Sequence, residues 1–342
     1  MMLMATKKIC SLIPLRRYLL QFSLLHSVSS SRQLQESLRE AIKVEAYEQI
    51  PDILSAAKDS CRNPNPFSFL TQFPENHRAH IIDEILQSFI CTRPRSRPRI
   101  AYSYLLSCTL ESPNPLPLAL AILQRTLRSG CLPVPQTYLF LSNAWLARRK
   151  RAESVSSILL EMQSIGYSPD CGTCNYLILS LCKVDRLNEA IKVLKGMGQA
   201  GCFPDLDSYG TIIGELSEHR MINEIVELLK EMVILGLLPR QQIVLKALAA
   251  MRANRDIWRA VEMIEFLESK DVYMGFEDYE SVLEGCLECR QFVLAGKFAI
   301  RMTERGLIPY IRLRQKLVEG LVSVGESELA SVVRQRFVQL KS

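Results

Sequence analysis

Apolar positions between Cys171 and Asp205 fall into two helical stripes followed by a stop. Leu177, Ile178, Leu181 and Cys182 share one face of a 3.6-residue helix. Asp185 is placed to cap a second helix, which Glu189 continues and to which Ala190, Val193, Leu194 and Met197 give a fresh apolar face. Gly201 stands where a left-handed C-terminal cap is needed, and Pro204 prevents continuation. The pattern therefore predicts helix, turn, helix and stop within 35 residues.

The punctuation recurs. Glycines at 130, 166, 201, 236 and 306 are each followed three residues later by proline, at 133, 169, 204, 239 and 309. Their spacings are 36, 35, 35 and 70, the last being two periods. The unit in that interval carries Asp271 and Met274 at the corresponding places and has lost both markers. An aromatic recurs near the start of units at Tyr102, Tyr138, Tyr209 and Tyr279, and small residues recur mid-unit at Ala119, Ala190, Ala260, Ala295 and Ala330. Four kinds of mark in one phase predict an all-α stack of helix-turn-helix repeats. The units expected are 99–134, 135–170, 171–205, 206–240, 241–275 and 276–310, with a partial repeat or cap over 311–342.

Upstream the pattern is irregular. Residues 36–98 read as degenerate helices and a linker, with short segments at Leu38–Val44 and from Ile50-Pro51, helix starts at Asn65-Pro66 and Phe73-Pro74, and a helix over Glu75–Ile90. His77 and His80 at the polar start of that helix read as surface residues. The run RPRSRPR from Arg93 to Arg99 is expected to be extended, with arginines able to touch phosphates. Residues 1–35 look like a transit peptide: Lys7, Lys8, Arg16, Arg17 and Arg32 precede the first acidic residue, Glu36, and Ser27, Ser29, Ser30 and Ser31 crowd the end. The expected address is the mitochondrion, with the chloroplast as the alternative. The apolar run Tyr18–Leu25 is too short to span a bilayer, so no membrane insertion is expected.

Charge narrows the chemistry. The first 98 residues hold 13 basic and 9 acidic residues, leaving 29 and 27 for the rest, so the repeat body is close to neutral. A polyanion must then be held by localised charge. Eleven cysteines without a secretory signal pattern point to reduced, partly buried thiols. The pairs Cys171/Cys174 and Cys286/Cys289 start 115 residues apart, a little over three repeats, and cannot share a tetrahedral ion. No metal, cofactor or catalytic residue is assigned. Neither a deaminase signature nor a phosphate-cradling glycine loop is present, and the expected chemistry is binding alone.

A period of 34 with a Trp-Leu-Gly-Tyr pattern would indicate tetratricopeptide repeats. Here Asn175-Tyr176-Leu177-Ile178, Leu181-Cys182-Lys183, Leu187-Asn188-Glu189-Ala190, Met197, Gly201 and Pro204-Asp205 resemble the pentatricopeptide repeat family, and the likeness covers about 240 residues. The resemblance implies a right-handed α-solenoid, or superhelix, that binds single-stranded organellar RNA at roughly one base per repeat. It further implies that the fifth residue of each first helix reads the base edge, assisted by the last residue of the unit. Asn175 with Asp205 matches the family's uridine-preferring pair. The other pairs are Ser103 with Val134, Leu139 with Asp170, Gly210 with Arg240, Leu245 with Gly275, and Glu280 with Tyr310. Lys183 would meet phosphate, whereas Glu218 and Glu288 take the equivalent place in other repeats and repel it. The second position, aliphatic in the family, holds Ile100 and then Gln136, Gly172, Asp207, Gln242 and Glu277.

Two functions follow from this reading. One is RNA binding in organellar RNA processing, stabilisation or translation by occupying a site, alongside other RNA-processing proteins. The other is a protein-interaction scaffold working through a concave solenoid face.

Overall fold

A computed structural model describes residues 31–57, 64–152 and 154–340. The segment 1–30, which holds most of the expected transit peptide, lies outside the described residues. Every regular element among them is helical. Internal contacts divide the chain into one unit of residues 1–185 with 195–202 and another of 186–194 with 203–342.

The first unit opens with α1 (Ser31–Lys43), whose Leu34, Leu38 and Ala41 form its buried stripe. The boundary expected at 35 therefore falls inside a helix. Then come α2 (Ile50–Ala56), with Pro51 in its first turn, and α3 (Glu75–Ser88). The helix read as reaching Ile90 tightens into a 3₁₀ turn at Phe89–Cys91. Asn65-Pro66 opens no α-helix but leads into a 3₁₀ turn, Ser68–Gln72. Asn65 instead ties this region to α4 (Arg99–Leu110), donating from Nδ2 to the Tyr104 carbonyl at 2.9 Å and to Ser107 Oγ at 3.1 Å. After α4 come α5 (Leu116–Arg128), α6 (Thr137–Arg149), the short α7 (Val155–Leu160) and α8 (Cys171–Lys183). Within this unit α4 packs on α5 and α6, and α8 on α5 and α6.

The run from Arg93 to Arg99 departs from the extended reading. The amide of Arg97 donates to the Pro94 carbonyl at 2.9 Å and that of Arg99 to Ser96 at 3.1 Å, so the run folds into consecutive turns. Two of its arginines are engaged, Arg97 in a forked pair with Asp52 and Arg93 on the carbonyls of Ile90 and Thr92. The guanidinium groups find better partners in the fold than an open chain would give them.

Helix α9 (Leu187–Met197) follows. The second unit continues through α10 (Leu206–Glu218), α11 (Ile222–Ile234), α12 (Gln241–Ala253), α13 (Ile257–Ser269), α14 (Phe276–Glu288), α15 (Phe292–Glu304), α16 (Ile311–Ser323) and α17 (Ser327–Gln339). In it α10 packs on α11 and α12, α12 on α13 and α14, α14 on α15 and α16, and α15 on α17. First helices thus pack on the first helices of neighbouring hairpins, and α15 on the next second helix, as in an all-α helical repeat solenoid. First helices begin at 171, 206, 241, 276 and 311, and second helices at 187, 222, 257, 292 and 327.

Left-handed residues make this register. These helices end where one residue takes φ > 0 and its amide and the next reach back into the last turn. Gly236 (φ +79) shows the pattern between hairpins: its amide meets Val233 at 3.0 Å, and that of Leu237 meets Met232 at 3.0 Å. Asp271, which replaces the cap glycine, holds φ +56 with the same two bonds, so the residue changed and the geometry stayed. Aspartate tolerates this region better than most residues. From α8 onward the turn inside the hairpin uses the same device, with Asp185, Arg220, Arg255 and Arg290 at φ +55 to +59 and Gly325 at +85. Asp185 takes this conformation two residues after α8 ends and two before α9 begins at Leu187.

The phased residues fill the core. Tyr102, Tyr209 and Tyr279 are buried to 1 % exposure, and Ala119, Ala190, Ala260 and Ala295 to 0 %. Tyr138 stays half-buried and stacks on Tyr176 at 5.2 Å. The cost of left-handed turns can be measured. Gly236→Val is expected to destabilise the protein by about 1–2 kcal/mol, whereas Asp271→Gly is expected to be neutral or slightly stabilising. Urea denaturation followed by circular dichroism checks both, and equal losses would refute this account of the turns.

Candidate nucleic-acid interface

The fifth residue of a first helix lies one turn in, past the cap, on a position that the core stripe at places four, seven and eight leaves uncovered. Asn175, Gly210, Leu245 and Glu280 each stand fifth in α8, α10, α12 and α14, and all are half-buried. Ser103, fifth in α4, donates its hydroxyl back to the Arg99 carbonyl at 3.1 Å. Leu139 is 52 % exposed but stands third in α6, because Val134 and Pro135 form a turn before that helix starts at Thr137.

The residues that close the units play a more local part. Asp170 caps α8: its Oδ1 accepts from the Thr173 amide at 2.9 Å and hydroxyl at 2.6 Å, while Oδ2 accepts from Arg128 at 2.8 Å. Asp205 caps α10 in a reciprocal box with Ser208, accepting the Ser208 amide at 2.8 Å while the Ser208 hydroxyl faces the Asp205 amide at 3.0 Å. Gly275 is the N-cap of α14, with its amide on Asp278 Oδ2 at 2.7 Å. A Cβ at Gly275 would stand 2.6 Å from the Gln241 amide nitrogen, so that side chain occupies the space. Val134 and Tyr310 are 43 % and 65 % exposed.

Among the paired positions, Glu280 and Tyr310 come directly together, the Tyr310 amide donating to Glu280 Oε1 at 3.4 Å. Burial raises the Glu280 carboxyl above its usual range, partly opposed by that bond. Arg240 meets Asp207 at 2.9 Å, on the helix that carries Gly210, and the space beside Gly210 is bounded by Ile243 at 3.7 Å. Asn175 belongs to the first unit and Asp205 to the second.

Several charges on the first helices of the second unit are paired between neighbours. Lys246 of α12 meets Glu218 of α10 at 3.2 Å, and Arg252 of α12 reaches Glu284 of α14 at 2.7 Å and forks onto Glu288. The Arg252 hydrogen bond holds the Glu288 carboxyl below its usual range. Acidic residues read as repelling phosphate are therefore cross-braces between helices. Lys183 is exposed. So are Arg220, Arg255 and Arg290, which occupy equivalent left-handed turns. The sequence reading missed these three, although their own 35-residue spacing was the signal.

Cys171 and Cys289 are half-buried, and Cys174 and Cys286 are buried, with burial raising the Cys286 thiol to about 12. Among the described residues no group of three or more His, Cys, Asp or Glu is placed to hold a metal ion. Nor is any described helix long and apolar enough to cross a membrane.

Hairpins of two helices in 35-residue register define a helical-repeat protein. A model described as "PPR repeat family" matches residues 169–218, and one described as "PPR repeat" matches 207–237. The chain is 59 % identical over 317 residues to the pentatricopeptide repeat-containing protein At1g06270 of Arabidopsis thaliana, covering 92 % of each. It belongs to the pentatricopeptide repeat family. Among solved structures it is similar to the pentatricopeptide repeat protein PPR10 from maize, at 14 % identity and a TM-score of 0.40, covering 98 % of this chain and 57 % of that one. The structure of PPR10 with an 18-nt psaJ RNA element matches at 18 % identity and a TM-score of 0.29, covering 93 % and 52 %. The chain thus spans a little over half the length of those structures.

The cross-braces predict a pH signature. Because Glu288 is depressed in the folded state, its contribution is complete above the unfolded value of about 4.3 and is lost as pH falls through the lower folded value. Glu288→Gln is expected to cost about 0.5–1 kcal/mol at pH 7. That difference should vanish in acid, where both proteins lack the ion pair. Urea melts at the two pH values check it, and a gap that persists in acid would show that the ion pair is not its source.

Proposed function

We propose that the protein binds single-stranded RNA through its pentatricopeptide repeats and acts by occupying its site. The observation that carries this reading is the register. Helix starts at 171, 206, 241 and 276 put residues 175, 210, 245 and 280 at one place in successive first helices. Family membership then supplies the role of that place. Asn175 is the residue best suited to it, since its amide offers a donor and an acceptor to a pyrimidine edge. Exposed Lys183, Arg220, Arg255 and Arg290 supply the localised positive charge that a near-neutral body requires.

The finer role goes further. We infer a place in organellar RNA processing, stabilisation or translation, in mitochondria ahead of plastids, on the basicity and serine content of residues 1–35. Uridine preference follows from the family likeness of Asn175 with Asp205. Gly210 carries no side chain to read with, and Leu139 and Leu245 carry no polar edge, so only part of the array reads bases.

The pairing of Lys246 and Arg252 with acids supports a second reading, a protein-interaction scaffold, because it withdraws cations from a phosphate backbone. Binding measurements separate the two. On the RNA reading, uridine-containing oligonucleotides bind with affinity that falls steeply with salt, and Asn175→Ala weakens binding by about 1–3 kcal/mol. Crosslinking in isolated organelles recovers a transcript with a footprint of about seven nucleotides or fewer, given one base per repeat. Salt-independent behaviour, no recovered transcript and a stable protein partner would overturn it in favour of the scaffold.

A further inference from the structure

Cys174 and Cys202 face one another inside the first unit, with sulfur atoms 3.5 Å apart. Cys174 lies on the first turn of α8, next to Asn175, at 1 % exposure. Cys202 lies at 6 %, immediately after the left-handed Gly201 that ends the same repeat. The corresponding positions of the later repeats hold Tyr209 with Leu237, Val244 with Val272, and Tyr279 with Leu307. This repeat alone among these four holds thiols at both places. Cys202 Sγ also lies 3.5 Å from the Met197 carbonyl, and neither thiol belongs to a metal-binding group among the described residues.

We propose that Cys174 and Cys202 are a vicinal dithiol site that small-molecule disulfides convert to an intrachain disulfide, tying the start of α8 to the loop that ends the repeat. Closing from 3.5 Å to an ordinary bond of about 2.05 Å asks for a movement of roughly 1.5 Å, within reach of a side-chain rotation. The hydrogen bond between the two sulfurs pulls the Cys202 thiol below its ordinary value and pushes Cys174 up. Cys202 is the less deeply buried of the two and is the entering nucleophile. Its neighbours in sequence, Gly201 and Phe203, are exposed, so local opening of this turn admits the reagent.

The steps balance with oxidised glutathione as the oxidant. The Cys202 thiolate attacks one glutathione sulfur, forming a mixed disulfide and releasing the first glutathione thiolate. Cys174 then gives its proton to solvent, and its sulfur attacks Cys202 Sγ, releasing the second. The protein loses two hydrogens and two electrons, and one glutathione disulfide becomes two glutathione thiols. This inference is independent of the RNA reading and survives its failure.

The test uses the full chain, incubated with oxidised glutathione for minutes to hours, alkylated and digested without reductant. Mass spectrometry is expected to find a Cys174–Cys202 linked peptide that dithiothreitol removes. Cys131→Ser, which changes the buried thiol at the equivalent loop place of an earlier repeat, is expected to keep the link. Cys202→Ala is expected to abolish it with unchanged far-ultraviolet circular dichroism. Absence of the linked peptide in the unaltered protein overturns the proposal whatever the variants do. So does the appearance of glutathione adducts alone, or links of Cys174 or Cys202 to other cysteines.

Discussion

From α8 onward the structure depends on forcing a single residue into left-handed backbone conformation at the end of each helix, within hairpins and between them. A helix that ends this way returns its last free carbonyls to hydrogen bonds and reverses the chain within two residues. The positions 185, 220, 255, 290 and 325 inside hairpins and 201, 236, 271 and 306 between them repeat at the same interval. Everything else in the register follows, because a helix of fixed length between two fixed turns presents the same face each time. The buried tyrosines at 102, 209 and 279 and the alanines between second helices occupy the space so defined.

This arrangement separates what must be kept from what is free to vary. Core places in a first helix are committed to packing. The fifth place borders them without being needed by them, so Asn175, Gly210, Leu245 and Glu280 can differ without harm to the stack. Charges between neighbouring first helices are partly committed as well, since Arg252 and Lys246 brace α12 against the helices on either side. A repeat array that uses its cations as braces keeps few for an external polyanion. The exposed arginines at the hairpin turns lie outside that bracing.

Legibility varied along the chain for a physical reason. Helices from 99 onward were readable because glycine, proline and apolar spacing report local backbone demands that hardly depend on distant partners. The N-terminal region was less readable: Asn65 is held by Tyr104 and Ser107, and Arg97 by Asp52, partners 39 to 45 residues away. Asp271 kept its place in the period without the glycine marker, because the repeat demands a backbone conformation that aspartate also adopts. Asp205 shows the limit for the site, since a residue at the end of a unit can serve as a helix cap whatever else it does.

The sequence alone determined the helical hairpin, its 35-residue period and the family, since each rests on short-range spacing repeated many times. Only the tertiary structure decided which charges are spent on each other, as with Arg252 between Glu284 and Glu288. It likewise decided that Cys174 meets Cys202, 28 residues on. Those contacts join residues across turns and neighbouring helices, and no local pattern specifies which side chains a turn will bring face to face.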